Sequence, residues 1–439
     1  MPSYSRREQR GWLFYDWANS AFYTTVVTLF FGPYLTSLAQ KAADAEGFVR
    51  PLGVKLAAVS VWPYLVSLSV LIQVFILPLA GAIADYGNRK RELLGALAWT
   101  GAAATTAMYW LEGDMYLLGC GLFLIANSAF GASIVVYNSF LPEIAGPEQR
   151  DAVSSKGFAL GYVGGGVLLV ANIFLYQQAP SLGLSEALAV RISLASAGLW
   201  WALFTVAPVL TLKNRPPRKQ RRPGLSYGKA ALGELAQSLR EIKKLPQTLR
   251  FLLAYLVYND AIQTILALAS QFGQQELKLP VGALTTAILI AQFVGIGGAM
   301  FFNWVAARVG NKNAVMVTLV IYCAVLIYAY AGVATATEFY VMAGAVGGVM
   351  GGSQALSRSI FSFMIPKGHE AEYYSIYEIS DKGTSWVGPL FFGLALQFTG
   401  SYRLSILSLI VFFVVGMLLL ATVNVRTAAL QAGNEPPPR

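Results

Sequence analysis

Long apolar runs, broken by short polar and charged stretches, recur along the whole chain. In the first part they lie near residues 12–39, 60–82, 92–110, 116–138, 153–176 and 190–212. In the second part they lie near 249–275, 281–305, 313–332, 338–363, 373–398 and 402–424. A helix of about 20 residues crosses the ~30 Å hydrocarbon core of a bilayer, and each run approaches or exceeds that length. Lipid offers no partners for backbone N–H and C=O groups, so the runs are expected to satisfy them internally as helices. The pattern therefore predicts an all-α integral membrane protein of about twelve spans.

Composition agrees with this reading. Of 439 residues, 56% are hydrophobic and only 12% charged, and the mean hydropathy is +0.55. A soluble chain of this size carries about a quarter charged residues to coat its surface. Cys120 and Cys323 both fall inside apolar runs, in different halves, and read as plain core residues rather than a disulfide.

The charges fall between the runs and set an orientation. Basic residues gather at the start (Arg6, Arg7, Arg10), after the second run (Arg89, Lys90, Arg91) and across the central stretch from Lys213 to Arg250. The alternate loops are poor in them, with Glu112 and Asp114 after the third run and Glu338 after the ninth. Cytoplasmic loops collect Lys and Arg, so both termini are expected in the cytoplasm, with the protein in an inner or plasma membrane. Membrane topology accounts for the net charge of +10 without a nucleic-acid partner. Ser5-Arg6-Arg7 has the look of a twin-arginine signal and Ser37-Leu38-Ala39 that of a cleavage site. The apolar stretch between them is too long for a signal peptide and carries Asp16 near its start, so it reads as the first helix.

The expected organisation is an N-terminal six-helix bundle over 1–212, a basic cytoplasmic linker over 213–248, a second bundle over 249–425 and a flexible tail over 426–439. Proline and arginine from Asn214 to Gly224 give an extended connection. Leu232, Leu235, Leu239 and Ile242 then recur at helical spacing among charges, as in an amphipathic helix on the membrane surface.

The halves repeat one another. Tyr15-Asp16-Trp17-Ala18 is echoed by Tyr258-Asn259-Asp260-Ala261, and Gly87-Asn88-Arg89 by Gly310-Asn311-Lys312. Leu141-Pro142-Glu143 corresponds to Ile365-Pro366-Lys367, and Lys156-Gly157 to Lys382-Gly383. The order is constant and the spacing nearly so, which points to a parallel six-plus-six repeat, an architecture known among secondary transporters.

At these residues the chain resembles the major facilitator superfamily. Its signature loop has the form G-x-x-x-D-[RK]-x-G-R-[RK], and Gly81, Asp85, Arg89 and Lys90 match it. Tyr86 replaces the first basic residue, and Asn88 stands in the glycine position with Gly87 one place earlier. Four further segments are similar to the branch of autophagy-related vacuolar amino-acid effluxers and their bacterial relatives: 15–22, 137–143, 157–162 and 352–359. The resemblance covers nearly the whole chain. It implies the superfamily fold, alternating access by rocking of the halves, amino acids as a candidate substrate, efflux as the direction, and a cavity lined by spans 1, 4, 7 and 10.

Polar groups inside a membrane are functional candidates. For substrate binding or coupling they are Asp16, Asn19 and Tyr23 in span 1, Asn127 and Asn138 in span 4, Asn259, Asp260 and Gln263 in span 7, and Gln354 and Arg358 in span 10. Asp260, about three turns into its span, is expected either to carry a coupling proton or to serve as an ion-pair partner or helix cap. Asp16 reads either as part of a gate or as a first-turn acid stabilised by the helix dipole. Arg358 reads either as a holder of a substrate carboxylate, with Gln354 one turn away, or as a residue snorkelling to the surface. Asp85, Arg89 and Lys90, with Glu378, Asp381 and Lys382 in span 11, are assigned to gating; Glu378 and Lys382 stand in the favourable i, i+4 order. Glycines 161, 164, 165 and 166 and glycines 344, 347, 348, 351 and 352 read as packing positions between helices.

The sequence leaves little room for an enzyme. The only histidine, His369, lies in a loop, and no nucleophile or metal-ligand spacing accompanies either cysteine. The expectation is a monomeric, proton-coupled secondary transporter of a small polar solute in the bilayer, with no cofactor and no metal. A transporter of sugars or drugs, a lipid flippase and a channel are the competing readings.

Overall fold

The structure is a computed structural model, which describes residues 5–145, 147–216, 233, 240, 242–365, 377 and 386–434. It divides into two compact units, Met1–Glu234 and Leu235–Arg439.

The first unit begins with a continuous helical run, Arg6–Ala42. It starts ahead of the apolar stretch because Ser5 caps it, its hydroxyl accepting from the Glu8 N–H. The run has three parts: α1 (Arg6–Ala21), a π-helical segment (Phe22–Phe30) and α2 (Phe31–Ala42). In the π segment the ladder widens to five residues, as in the Phe31 N–H to Val26 C=O bond. Thr28 Oγ1 donates to the Tyr23 carbonyl at 3.0 Å, occupying one of the loosened acceptors.

A loop follows that contains an element the apolar pattern did not predict, a two-stranded antiparallel ladder pairing β1 (Phe48–Val49) with β2 (Leu56–Ala57). The Asp44 carboxylate organises it, accepting from the amides of Phe48 at 2.9 Å and Glu46 at 3.1 Å. Those amides, first that of Phe48, hold the Asp44 carboxyl below the usual carboxylate range.

The unit continues with α3 (Val61–Tyr86), α4 (Lys90–Ala107), α5 (Tyr116–Asn138), the short α6 (Leu141–Ile144), α7 (Pro147–Gln178) and α8 (Glu186–Thr211). Proline opens α7, six residues before the apolar run, because it suits a first helical turn. The main packings are α1 with α7 and α8, α4 with α5 and α8, and α3 with α5. Glycine makes the first possible: a Cβ on Gly161 would stand 2.6 Å from Ser20 Oγ, and one on Gly164 2.7 Å from the Trp17 carbonyl. Gly166 meets nothing, so it is not a packing glycine as expected.

The second unit holds α9 (Pro246–Gln275), α10 (Val281–Val309), α11 (Asn311–Ala331), α12 (Ala336–Ser362), α13 (Val387–Thr399), α14 (Tyr402–Ser408), α15 (Ile410–Ala421) and α16 (Val425–Gln431). Here α9 packs with α13 and α15, α11 with α12 and α15, and α10 with α12. The set of pairings is that of the first unit in the same chain order. Two arginines tie the helix ends in parallel ways. Arg191 reaches Glu112 and the Tyr109 carbonyl. Arg403 donates to Glu276 at 2.7 Å and to the carbonyls of Ala329, Tyr330 and Val333.

Several expectations change. The twelfth run is divided at Leu409 into α14 and α15. The first residues of the expected tail, as far as Gln431, lie in α16, capped by Asn424 and buried at Ala428 and Ala429; 435–439 lie outside the described residues. Asn434 then donates to the carbonyls of Phe363 at 3.0 Å and Ile365 at 2.7 Å. The amphipathic helix and the first part of the eleventh run lie outside the described residues, apart from isolated positions.

Among the described residues, seven helices are long and apolar enough to cross a membrane: Arg6–Ala42, Ala58–Gly81, Tyr116–Asn138, Glu186–Thr211, Pro246–Gln275, Asn311–Ala331 and Tyr402–Ala421. An eighth is added if the bent halves Val281–Gly295 and Met300–Val309 count as one span. Cys120 and Cys323 are free thiols.

Candidate functional site

In the first unit the chemistry centres on Asp16. It is the eleventh residue of α1 and half-buried. That lies almost three turns in, so it is not the first-turn acid; Glu8 holds that position. Tyr137 Oη donates to Asp16 Oδ2 at 2.8 Å. The Tyr137 ring is stacked on Trp12 at 4.3 Å and lies 5.0 Å from Tyr15, and Trp12 Nε1 donates to the Tyr137 carbonyl at 3.0 Å. Gly157 of α7 faces Asp16 Oδ2, and any Cβ there would collide with it. The carboxylate is thus fixed from α5 and admitted by a glycine on α7.

The other candidates of this unit are spread out. Asn19 is buried, and its Nδ2 has no partner among the described residues. Tyr23 is exposed within the π segment, with its ring 6.4 Å from Phe130. Asn127 turns to α3, donating to Ser69 Oγ at 2.9 Å, so its amide is engaged between helices. Asn138 ends α5 and is exposed.

A buried ionic cluster stands near the start of α1. Lys90 opens α4 and pairs with Glu143 at 2.7 Å; both side chains are less than a tenth exposed. Arg215 reaches Glu143 at 3.4 Å and Glu8 at 3.1 Å. The Lys213 amide donates to Glu8 at 3.2 Å, and Asn214 donates to Glu92 at 2.6 Å. The chain leaving α8 is thereby stitched to α1, α4 and α6. Arg89 is exposed at the N-cap of α4, and Asp85 lies in the last turn of α3. The gating candidates Glu378, Asp381 and Lys382 lie outside the described residues.

In the second unit the centre is Asp260, only 2% exposed on α9. Its Oδ2 accepts from the Gly388 N–H at 2.8 Å, while Oδ1 has no hydrogen-bond partner among the described residues. No cation among the described residues pairs with it. Asp260 thus receives an amide from the first turn of another helix, α13, rather than capping a break in its own. Asn259 beside it is buried, and Gln263 and Gln354 are half-buried. Arg358 is exposed on α12. Tyr258 Oη and Ser357 Oγ lie 2.6 Å apart. The related Tyr15 of the first unit is also fully buried, but its hydroxyl has no hydrogen-bond partner among the described residues.

Sequence reasoning passed over Tyr137, Glu8, Glu143, Arg215 and Gly388. Tyr137 and Glu143 lie in a segment already singled out; nothing local marks Glu8 as a buried acid, or Arg215 and Gly388 as partners of buried acids.

A family model described as vacuole effluxer Atg22 like matches residues 4–433. The chain belongs to this family. An uncharacterized MFS-type transporter, YxiO of Bacillus subtilis, is 30% identical over 425 residues, covering 96% of each chain. Autophagy-related protein 22 of Pyricularia oryzae is 26% identical over 501 residues, covering 91% of this chain and 73% of that one. Among solved structures, a D-xylose-proton symporter superposes with a TM-score of 0.67 at 14% identity, covering 95% of this chain and 96% of that one. A point mutant of the nucleoside transporter NupG gives 0.66 at 15% identity, covering 97% and 99%. The fold is that of the major facilitator superfamily, and this member of the Atg22-like family is a multi-pass membrane transporter.

Proposed function

We propose that the protein is a proton-coupled secondary transporter that exports small zwitterionic solutes, amino acids above all, by alternating access. The observation that carries the coupling is Asp260: a fully buried carboxylate, one oxygen held by a backbone amide and the other without a donor among the described residues. A buried carboxylate with no cation is costly as an anion, and a proton relieves that cost. The family description as an effluxer supports the direction.

The reading comprises two six-helix repeats, supported by the shared helix pairings and by the matching full burial of Tyr15 and Tyr258. It places the bundles at 1–212 and 249–425, joined by a basic linker, with both termini cytoplasmic in a plasma membrane and the monomer as the working unit. Asp16, Asn19, Tyr23, Asn127, Asn138, Asn259, Gln263, Gln354 and Arg358 supply the polar contacts to substrate, and few fixed charges among them suit a zwitterion. Asp85, Arg89 and Lys90, with Glu378, Asp381 and Lys382, act at the gate.

The test is counterflow of a radiolabelled mixture of the common amino acids in proteoliposomes, with and without a pH gradient. Saturable exchange accelerated by the gradient is expected, and Asp260→Asn should abolish the acceleration while leaving exchange at equal pH. Gradient-driven accumulation by Asp260→Asn equal to wild type would overturn the assignment. Exchange of labelled sugars or movement of labelled lipid, with no amino-acid exchange, would transfer the reading to another solute class.

A further inference from the structure

The first turn of α13 lacks a cap of its own. Trp386 stands at the N-cap position and its side chain accepts no hydrogen bond from the turn. Asp, Asn, Ser or Thr normally fills that position and receives the amides that a helix leaves unpaired at its start. Two residues further on is Gly388, and Pro389 after it has no N–H to offer. The acceptor comes from another helix, 128 positions earlier in the chain: Asp260 Oδ2, 2.8 Å from the Gly388 nitrogen.

The contact depends on Gly388 having no side chain. A Cβ there would run into Thr264 Oγ1 and come within 3.2 Å of Asp260 Oδ1. Thr264 is held in place, its hydroxyl donating to the Asp260 carbonyl at 2.7 Å. The backbone of α13 therefore lies directly on the acid-bearing face of α9, one turn of which presents Asp260 and Thr264 together.

We propose that Gly388 is the positioning residue through which proton uptake at Asp260 is turned into movement of α13. With the carboxylate ionised, the bond from Gly388 is charge-assisted and the acid sits at the positive end of the helix dipole. A proton from solvent adds to Oδ1, the oxygen without a partner among the described residues, and Asp260 becomes neutral. The Gly388 bond then joins two neutral groups, the dipole attraction is gone, and the first turn of α13 opens more readily. Losing both effects amounts to about tenfold in that opening equilibrium.

Among the described residues, no other charged group stands in this role. Among the described residues, α13 and α15 carry no titratable side chain. On α9 itself Arg250 lies near the start, Tyr255 stacks on Tyr377 and Tyr258 bonds Ser357; on the remaining elements packed against it, Tyr402 accepts from Gln271 and Arg403 pairs with Glu276 beyond the far end of α9. Arg308 of α10 stacks over Trp304, Glu338 caps the start of α12, Tyr340 and Arg358 lie elsewhere on that helix, and Arg426 sits on α16.

This inference rests on the coupling role proposed for Asp260, and one experiment separates the two. Hydrogen exchange of the full-length protein in nanodiscs is followed by mass spectrometry between about pH 5 and pH 9, in a peptide that begins ahead of Trp386 and ends before Phe392. Rates are divided by the intrinsic rate at each pH. Wild type should lose about tenfold in protection toward the acid end. Asp260→Asn keeps an acceptor oxygen but cannot ionise, so its profile should be flat. A flat wild-type profile overturns the proposal by itself and requires no variant to fold. Equal pH dependence in wild type and Asp260→Asn also overturns it. If either result accompanies loss of gradient-driven counterflow in Asp260→Asn, the coupling role stands and only the link to α13 falls. If Asp260→Asn retains gradient-driven counterflow, the coupling role falls and the link falls with it.

Discussion

Glu143 should be the most costly single charge to remove near the start of α1. Its side chain is 7% exposed and pairs with Lys90, 9% exposed, at 2.7 Å. Glu143→Gln leaves the Lys90 ammonium buried without its anion, a class of change that costs about 3–5 kcal/mol. The Phe140 ring, 5.3 Å from Lys90 Nζ, offsets a part of this, which favours the lower end, about 3 kcal/mol. Lys90→Met is milder, because Arg215 still reaches Glu143 at 3.4 Å from a site one-third exposed; about 1–2 kcal/mol is expected. The double variant Lys90→Met, Glu143→Leu removes both charges and should cost less than Glu143→Gln alone. The free thiols provide the assay, since Cys120 lies in the first unit and Cys323 in the second. In a Cys323→Ser background a thiol-reactive fluorogenic dye reports the unfolding of the first unit. At about 2–4 °C per kcal/mol, Glu143→Gln should lower the apparent midpoint by roughly 6–12 °C at a fixed scan rate. Equal losses for the two single variants, or a double variant equal to their sum, would refute the reasoning.

Three further outcomes follow from named contacts. Tyr137→Phe deletes the donor to Asp16 but keeps the ring on Trp12; about 1 kcal/mol of stability and a several-fold drop in amino-acid exchange are expected, checked by melting and counterflow on one preparation. Arg403→Lys cannot reproduce a fork that reaches Glu276 and three carbonyls, so it should cost about 2 kcal/mol, read with the same dye in a Cys120→Ser background. Asp44, held below its unfolded value by the Phe48 and Glu46 amides, stabilises its loop above the unfolded pKa and loses that effect as pH falls through the folded one. Limited proteolysis within residues 43–57 should therefore accelerate on acidification in wild type, and Asp44→Ala should be cut at the faster rate already at neutral pH.

The spans were the legible part of this chain, because a bilayer demands long apolar helices and the sequence displays them. Their ends were less so, since caps decide them: Ser5 starts α1 ahead of its apolar run, and Asn424 starts α16 where only a tail was expected. That early start also displaced Asp16 from the first turn. Asp260 stood out as an acid in an apolar run, but its partner did not. Gly388 is one of 42 glycines, and only the approach of α13 to α9 distinguishes it. Glu8 and Arg215 sit in charged segments outside the apolar runs, yet Glu8 is 3% exposed because the chain leaving α8 folds back over it.

The π segment has a consequence for chain length. Bonds that close over five residues hold more chain per turn than those that close over four, so Phe22–Phe30 contains a residue that an α-helix of the same rise would not need. Removing one residue there, Thr28 for instance, should let the stretch contract to α geometry while α1 and α2 keep their present faces toward α7 and α5. The first span is thus the place where this transporter should tolerate a shortening, and relatives one residue shorter at this point would retain the same contacts on either side.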